Sequence, residues 1–289
     1  MEAFIQYTVQ GLAAGGFYAL AALGLAIIFG ALNVVNFAHG AFYMLGAVLT
    51  AVFLEFANLN FWVSLALVPV ILFIFGVIVE RLLVQWLLGL DILYTFLLTF
   101  GISLVLVDLV RMRFGVSGLP YDQPPGLTGS VHVGAIELPV YQVFVFGFSV
   151  LICLLVWLLL TKTRMGMVVR AATEEPERSR ALGINVSRWI TPVFGFGVAV
   201  AGIAGVLAAP FRAITATMGS NFIIILFAVV VIGGLGSILG SVVAGFLVGL
   251  VEAYGQGYAS NFAQILIFIL MAVVILVRPA GLFGRKETS

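Results

Sequence analysis

Charged residues are scarce in this chain of 289 residues. Asp, Glu, Lys and Arg together make up 9% of it, whereas hydrophobic residues make up 63%. A soluble domain carries about 25% charged residues, so the composition excludes a soluble globular protein and predicts an integral membrane protein. The formal net charge is only +1. Such a balance gives no reason to expect a nucleic-acid partner, and we expect none.

Cysteine is almost absent as well. The single residue, Cys153, lies within an apolar run, so a disulfide within the chain and a metal site built on cysteines are both excluded. We expect Cys153 to be a small packing residue. The two histidines, His39 and His132, are far apart in the sequence, and no metal site is predicted.

Lysine occurs only at Lys162 and Lys286, and neither residue follows a glycine. The phosphate-binding sequence G-x-x-x-x-G-K-[ST] requires a lysine directly after a glycine. The chain therefore cannot bind and hydrolyse ATP through such a loop. We expect it to be no enzyme and to bind no cofactor itself. If ATP drives its function, the ATP is used by another polypeptide.

Long apolar runs, in contrast, are abundant, and about 20 apolar residues suffice to cross a bilayer as a helix. The stretch 221–253 is too long for one span, and its centre, GGLGSILG at 233–240, is unfavourable inside a helix. It is either a hairpin of two short helices or a re-entrant element. We predict an all-α, polytopic transmembrane bundle that forms one domain over residues 1–289 and has about eight to nine spans. The other predicted spans are 9–32, 37–56, 61–80, 91–110, 141–161, 189–210 and 261–278.

Charge is concentrated in one segment, residues 162–188, which holds six of the thirteen basic residues and three of the twelve acids. Charge is costly in hydrocarbon, and basic loops next to spans favour the cytoplasmic side. We therefore predict that this loop is cytoplasmic. The orientation puts ten basic residues inside and three outside (Arg111, Arg113 and Arg212). The Gly- and Pro-rich stretch 111–140 then becomes an outer loop of turns.

Within this loop, residues 171–184 carry the signals of a short surface helix. Thr173 can cap its N-terminus, Glu174 and Glu175 fall in the first turn, where the helix dipole favours acids, and Gly183 can end it. One interpretation is a solvated helix with no partner. In an ATP-driven system, the same helix is the natural contact for a separate ATPase. The candidate coupling residues are Arg170, Glu174, Glu175, Glu177, Arg178, Arg180, Leu182 and Gly183.

Polar groups inside the predicted spans are a second set of candidates, because such groups are costly in lipid. Glu252 lies beside a row of small residues and either joins helices or lines a path. The segment Asn33–Gly40 is either a tight turn whose amides cap helix ends or a broken helix that lines the path. The candidate path residues are Asn33, Asn36, His39, Gly233, Gly234, Gly236, Ser237 and Glu252.

Two other acids, Asp108 and Glu55, fall near the ends of predicted spans. Asp108 precedes Arg111 by three residues, a spacing at which side chains on a helix form ion pairs. We expect both acids to lie at the membrane interface.

Small residues spaced four apart form three rows. In lipid, such rows allow helices to pack closely, so they predict a compact bundle. The rows are Gly11, Gly15 and Ala19; then Gly197, Ala201, Gly205 and Ala209; and finally Ser241, Gly245, Gly249 and Ala253.

Four blocks of the sequence resemble the branched-chain amino-acid ABC permease family, in particular its LivH-type inner-membrane subunit. They are NFAHGAFYMLG at 36–46, RMGMVVRAATEEPERSRALGIN at 164–185, IGGLGSILGSVVAGFLVG at 232–249, and RPAGLFG at 278–284. Their order and spacing run through nearly the whole chain.

The resemblance implies a multi-pass subunit of an importer in the bacterial plasma membrane. Such an importer contains a second homologous permease subunit, two cytoplasmic ATPase subunits and an extracytoplasmic solute-binding protein. Residues 171–184 match the family's coupling helix, and 221–253 match its helical hairpin near the pathway. Branched-chain amino acids are the family's typical solutes, and relatives import urea, short amides or aromatic acids.

The sequence leaves two alternative functions open. An ion-coupled secondary transporter would need a titrating carboxylate in the membrane, for which Glu252 and Asp108 are the available groups, and paired broken helices from an internal repeat. A channel for a small polar solute would need no coupling helix.

Overall fold

The computed structural model describes residues 2–32, 34–133, 136–163, 166–167 and 186–284. The predicted coupling residues between 170 and 183 and the path candidate Asn33 lie outside the described residues. Their roles therefore stay predictions.

Nine α-helices are present in the described part of the chain. Eight helical stretches are long and apolar enough to cross a membrane, and the helix Met218–Gly233, with 16 residues, is a shorter apolar helix. The predicted polytopic helical bundle is confirmed. The helices are α1 (Glu2–Leu32), α2 (His39–Ala57), α3 (Phe61–Leu82), α4 (Ile92–Phe114), α5 (Val140–Lys162), α6 (Val186–Ala208), α7 (Met218–Gly233), α8 (Ile238–Tyr258) and α9 (Ala263–Val277).

Helices α7 and α8 form the predicted glycine-broken hairpin. They extend beyond 221–253 at both ends, because Met218 begins α7 and Tyr258 ends α8. Helix α1 likewise begins at Glu2, seven residues earlier than the hydrophobic run suggests. Short 3₁₀ turns at Val84–Leu87 and Ser260–Phe262 follow α3 and precede α9.

Helix α1 lies at the centre of the bundle. Every residue from Ala13 to Ile28 is buried, and the helix packs against α5, α6, α7 and α8. A helix that is apolar around its whole circumference is typical of such a buried position. Helices α4 and α9 are peripheral, and large apolar side chains such as Leu97, Leu104 and Leu276 are exposed on them. These side chains form the surface that suits lipid.

The predicted rows of small residues are the places where the helices cross. The first and third rows pack against each other between α1 and α8: a Cβ added at Gly249 would lie 2.3 Å from the backbone nitrogen of Gly15. The second row brings α6 onto α2, where a Cβ at Gly205 would lie 2.1 Å from the carbonyl oxygen of Tyr43. Only glycine permits backbones to approach this closely.

A β-hairpin occupies part of the stretch for which the sequence indicated turns alone. Strands β1 (Ser130–Val133) and β2 (Ile136–Pro139) pair antiparallel directly before α5. Their four residues each are too few to produce a clear alternating pattern beside so many glycines and prolines. Nearby, Leu119 forms a bridge with Ile214, and its backbone nitrogen lies 2.8 Å from the Ile214 oxygen. This contact ties the 115–129 loop to the segment between α6 and α7.

Candidate functional site

A charged pair joins the segment between α6 and α7 to α8, at the end of the bundle that the sequence predicts to face outward. The Nη2 atom of Arg212 donates to both carboxylate oxygens of Glu252 at 3.2 Å. The Tyr18 hydroxyl donates to Oε2 of Glu252 at 2.7 Å, and Gln256 donates to Oε1 at 3.2 Å. Both oxygens of this carboxylate are therefore satisfied, as a charge inside an apolar bundle requires.

The two charged groups differ in their access to solvent. The Arg212 side chain is 32% exposed, whereas that of Glu252 is 9% exposed. Burial lowers the pKa of Arg212, but the neighbouring Tyr18 and Glu252 raise it by more, so its pKa lies above the usual range. The guanidinium is therefore a permanent cation on a side chain that is about one third exposed.

Aromatic rings surround this pair and connect three helices. Phe222 of α7 is stacked between Tyr18 of α1, with ring centroids 5.3 Å apart, and Tyr43 of α2, with centroids 3.9 Å apart. The Arg212 guanidinium carbon lies 5.8 Å from the ring centroid of Phe17 and 5.6 Å from that of Tyr18. Cation–π contacts of this kind favour a partly desolvated arginine.

A second polar group lies at the start of α2. The His39 ring is fully buried, and its Nε2 atom is 3.0 Å from the carbonyl oxygen of Ala21. Because a carbonyl only accepts, Nε2 carries the proton. The side-chain oxygen of Asn36 accepts from the backbone nitrogen of Ala38 at 3.1 Å. The Asn36 amide nitrogen, His39 Nδ1 and the Tyr43 hydroxyl have no hydrogen-bond partner among the described residues, which is unusual for buried polar atoms.

The glycine break between α7 and α8 is a tight turn covered by the C-terminal segment. Gly234 and Gly236 have φ angles of +101° and +76°, a region that side chains disfavour. The Ser237 hydroxyl accepts from the backbone of the first turn of α8 at 3.1 Å. The backbone nitrogens of Leu282 and Phe283 donate to the last carbonyls of α7 at 2.8 and 3.1 Å. The RPAGLFG segment thereby satisfies a helix end that would otherwise lack partners.

The glycine-broken hairpin and the NFAHG turn lie in two of the sequence blocks that resemble the permease family. The profile of the family described as "Branched-chain amino acid transport system / permease component" matches residues 7–276. The chain belongs to this family. The prediction of a multi-pass plasma-membrane permease is thereby confirmed.

The permease is similar to several named relatives. It is 29% identical to the high-affinity branched-chain amino acid transport system permease protein BraD of Pseudomonas aeruginosa, over 99% of this chain and 97% of BraD. It is also 29% identical to LivH of Salmonella typhimurium, over the same shares of the two chains. A probable branched-chain amino acid transport permease protein LivH of Methanocaldococcus jannaschii is 30% identical over 76% of this chain and 70% of the relative. No solved structure matches the chain.

The candidate path residues that the structure describes lie at separate positions in the bundle. Glu252 is the buried partner of Arg212, and the glycines at 233–236 lie under the C-terminal segment. Asn36 caps a tight turn through its side chain, as the simpler of the two sequence interpretations proposed, and His39 follows it. Tyr18, which binds Glu252, and Ala21, which binds His39, are one turn apart on α1, so α1 connects two of these places. That these residues line a path stays a prediction.

The structure also describes Asp108, Glu55 and Cys153, while the position of the two acids at the membrane interface stays a prediction. Asp108 and Arg111 form an exposed ion pair at 3.2 Å, and Glu55 is exposed at the end of α2. Cys153 is buried in α5.

The site residues predicted from the sequence do not include three polar residues that make buried contacts or are themselves buried: Arg212, Tyr18 and Glu80. Glu80 is 1% exposed at the end of α3, and its Oε2 atom has no hydrogen-bond partner among the described residues. A signal for Arg212 did exist, since it is the only basic residue and Glu252 the only acid between positions 189 and 277. Two lone opposite charges in an apolar stretch favour each other as partners.

Proposed function

We propose that this permease is the transmembrane subunit of an ATP-driven importer for branched-chain or related small amino acids or amides. A solute-binding protein delivers the solute, a second homologous permease subunit completes the membrane part, and two separate ATPase subunits supply the energy. The observation that carries the proposal is the family match over residues 7–276. Relatives named as branched-chain amino acid permeases that cover 99% of the chain add support.

Energy must come from outside this chain, because its two lysines do not form a phosphate-binding loop. ATP is accordingly bound by the partner subunits, and this subunit requires no cofactor. Residues 171–184 serve as the coupling helix that seats on an ATPase. They lie between α5, which ends at Lys162, and α6, which begins at Val186.

Helix α6 provides a direct route from that loop to the centre of the bundle. It packs against α1, α2 and α3. A Cβ added at Gly197 of α6 would lie 2.7 Å from the carbonyl oxygen of Gly24 in α1, so these two helices are in backbone contact. Force applied to 171–184 therefore reaches α1 without passing through a flexible side chain. Packed helices of this kind have discrete alternative arrangements, as alternating access requires.

Proton coupling is disfavoured by the surroundings of Glu252. An ion-coupled carrier needs a carboxylate that gains and loses a proton during each cycle. Glu252 instead accepts four hydrogen bonds, two of them from the cation Arg212. Both of its oxygens are thus already engaged by Arg212, Tyr18 and Gln256. Asp108 is exposed at a helix end beside Arg111, so it offers no alternative within the bundle.

The coupling role can be tested by deleting residues 174–182, or by reversing Arg178 and Arg180 to Glu. We expect either change to abolish solute uptake and to uncouple ATP hydrolysis, while membrane insertion stays normal by immunoblot of washed membranes. A matched control reverses Arg111 to Glu, since this exposed arginine lies at the opposite end of the bundle in the predicted orientation. Normal uptake by the deletion variant would contradict the docking role.

The energy source requires a separate measurement. In proteoliposomes that contain the whole importer, uptake should follow internal ATP and should persist when a protonophore collapses the proton gradient. Uptake that survives without ATP and stops with the protonophore would refute the ATP-driven importer.

A further inference from the structure

The guanidinium of Arg212 uses only part of its hydrogen-bonding capacity. Its contacts to Tyr18 and to both oxygens of Glu252 all come from Nη2. Nε and Nη1 make no hydrogen bond to any described residue. An arginine carries five N–H donors in a fixed planar arrangement, so one edge of this group is held by the protein and another edge is left for a different acceptor.

The protein holds this edge in a defined orientation. Glu252 and Tyr18 fix Nη2 from α8 and α1, and the ring of Phe17 lies near the guanidinium carbon at 5.8 Å. The backbone around the arginine is held too, because Ile214 pairs with Leu119 of the neighbouring loop. About a third of the side chain is exposed, at the end of the bundle that the sequence predicts to face outward.

A site of this kind suits a carboxylate. Guanidinium groups bind carboxylates through charge-assisted hydrogen bonds, often two in parallel, and such bonds are about twice as strong as those between neutral groups. A neutral amide or urea offers the cation a single carbonyl oxygen, so it lacks both the second parallel bond and the attraction between opposite charges. The acceptors on Glu252 are already occupied, so the pair presents donors to a solute and no free anion.

We infer that Arg212 binds the carboxylate of the transported solute, and that this permease carries carboxylate-bearing solutes rather than urea or simple amides. The inference rests on the proposed importer function and narrows its solute class. Glu252 and Tyr18 are positioning residues, since they act on the solute only by orienting Arg212. A purely structural ion pair is the competing explanation, and it makes different predictions.

The first experiment measures ATP-driven uptake by the whole importer of four labelled solutes: leucine, benzoate, urea and acetamide. The wild-type importer should take up one of the two carboxylate-bearing solutes and neither of the neutral ones. Import of urea or acetamide alone would overturn the inference and leave the ATP-driven importer intact. If none of the four is taken up in an ATP-dependent manner, both the proposed solute class and the inference fail.

The second experiment tests Arg212 itself. Arg212→Gln should lower the maximal uptake rate of the carboxylate-bearing solute at least tenfold, and Arg212→Lys should retain an intermediate rate, because it keeps the charge and loses the fork of donors. The solute concentration for half-maximal uptake, which the binding protein sets, should not change. Arg111→Gln is the matched control, since Arg111 is an exposed cation at the same end of the bundle, and its uptake should equal that of the wild type.

The charge-swapped variant, Arg212→Glu with Glu252→Arg, separates recognition from structure. It restores an ion pair between the two segments but removes the donor from its position. Recovery of membrane insertion without recovery of uptake supports the inference. Recovery of uptake to the wild-type rate overturns it, as does wild-type uptake by Arg212→Gln. If Arg212→Gln fails to insert, uptake by the swapped variant is compared with uptake by Arg212→Lys. Lower uptake by the swapped variant supports the inference, and wild-type uptake by the swapped variant overturns it.

Discussion

The crossing of α1 and α8 gives the sharpest test of how this bundle is held together. A Cβ added at Gly249 would lie 2.3 Å from the backbone nitrogen of Gly15 and 2.5 Å from the carbonyl oxygen of Gly11. All of the opposing atoms belong to the backbone, so no side chain can rotate away. Ordinary contact begins near 3.4 Å, so α8 must move away from α1 by about 1 Å to accept an alanine.

This displacement has a cost that can be bounded. Overpacking of a close-packed interior typically costs about 1–3 kcal/mol. For a chain of this size, about 1 kcal/mol corresponds to roughly 2–4 °C in the unfolding temperature. Gly249→Ala should therefore lower the unfolding temperature of the purified protein by about 2–12 °C, measured by the loss of the monodisperse peak after heating in detergent.

The chain provides a matched control in Gly101 of α4. It is also a glycine within a long helix, but a Cβ there would have nothing within 4 Å. Gly101→Ala should leave the unfolding temperature unchanged or raise it slightly, because alanine is the better helix former by about 1 kcal/mol. If the two variants unfold at the same temperature, the close crossing of α1 and α8 does not stabilise the fold, and the reasoning is refuted.

Two further predictions concern the orientation of the chain and the glycine break. In a background without the native cysteine, Ser130→Cys should react with a membrane-impermeant maleimide on intact cells, and Ser179→Cys only after the cells are opened. The reverse pattern would contradict the predicted orientation. Gly234→Ala should loosen the segment 279–284, because the φ of +101° is unfavourable for alanine, and should speed chymotryptic cleavage after Phe283. Gly115→Ala is the control, with a positive φ of +77° but nothing within 4 Å; equal acceleration in both variants would show that contact with the segment is irrelevant.

Most of the fold could be predicted from the sequence because lipid imposes a simple rule on the chain. Every backbone polar group must be satisfied inside its own segment, so each long apolar run becomes a helix. The run at 221–253 departed from that rule through its glycines, and the structure divides it at Gly234 and Gly236. The rows of small residues likewise marked helix faces that pack closely, because small side chains allow two backbones to approach. In the structure these faces form the crossings of α1 with α8 and of α6 with α2.

The candidate site was less accessible to sequence reasoning, because its contacts join residues that are far apart in the chain. Tyr18 and Glu252 are 234 positions apart, and no local pattern relates a tyrosine in α1 to an acid in α8. The predicted orientation places Arg212 in an outer loop, because the span at 189–210 leads outward from the cytoplasmic loop. That placement is compatible with the structure, but it gave no indication that the side chain turns back onto the bundle. The short β-hairpin was missed for a related reason, as its pairing involves too few residues to leave a periodic signal.

The position of the glycine break changes the interpretation of its role. The candidate path residues include Gly233, Gly234, Gly236 and Ser237, but carbonyls at the end of α7 accept hydrogen bonds from Leu282 and Phe283. Groups that already have hydrogen-bond partners offer little to a passing solute. Within the described chain, the polar atoms that do lack partners belong instead to Asn36, His39 and Tyr43, together with Glu80, Ser149 and Ser241. The first three lie on one short stretch of α2 and its leading turn, and Tyr43 is joined through Phe222 to the ring of Tyr18 beside Arg212. We therefore predict that a solute bound at Arg212 next meets the start of α2 rather than the glycine turn, because the stacked rings lead from Tyr18 to the unpaired polar atoms there.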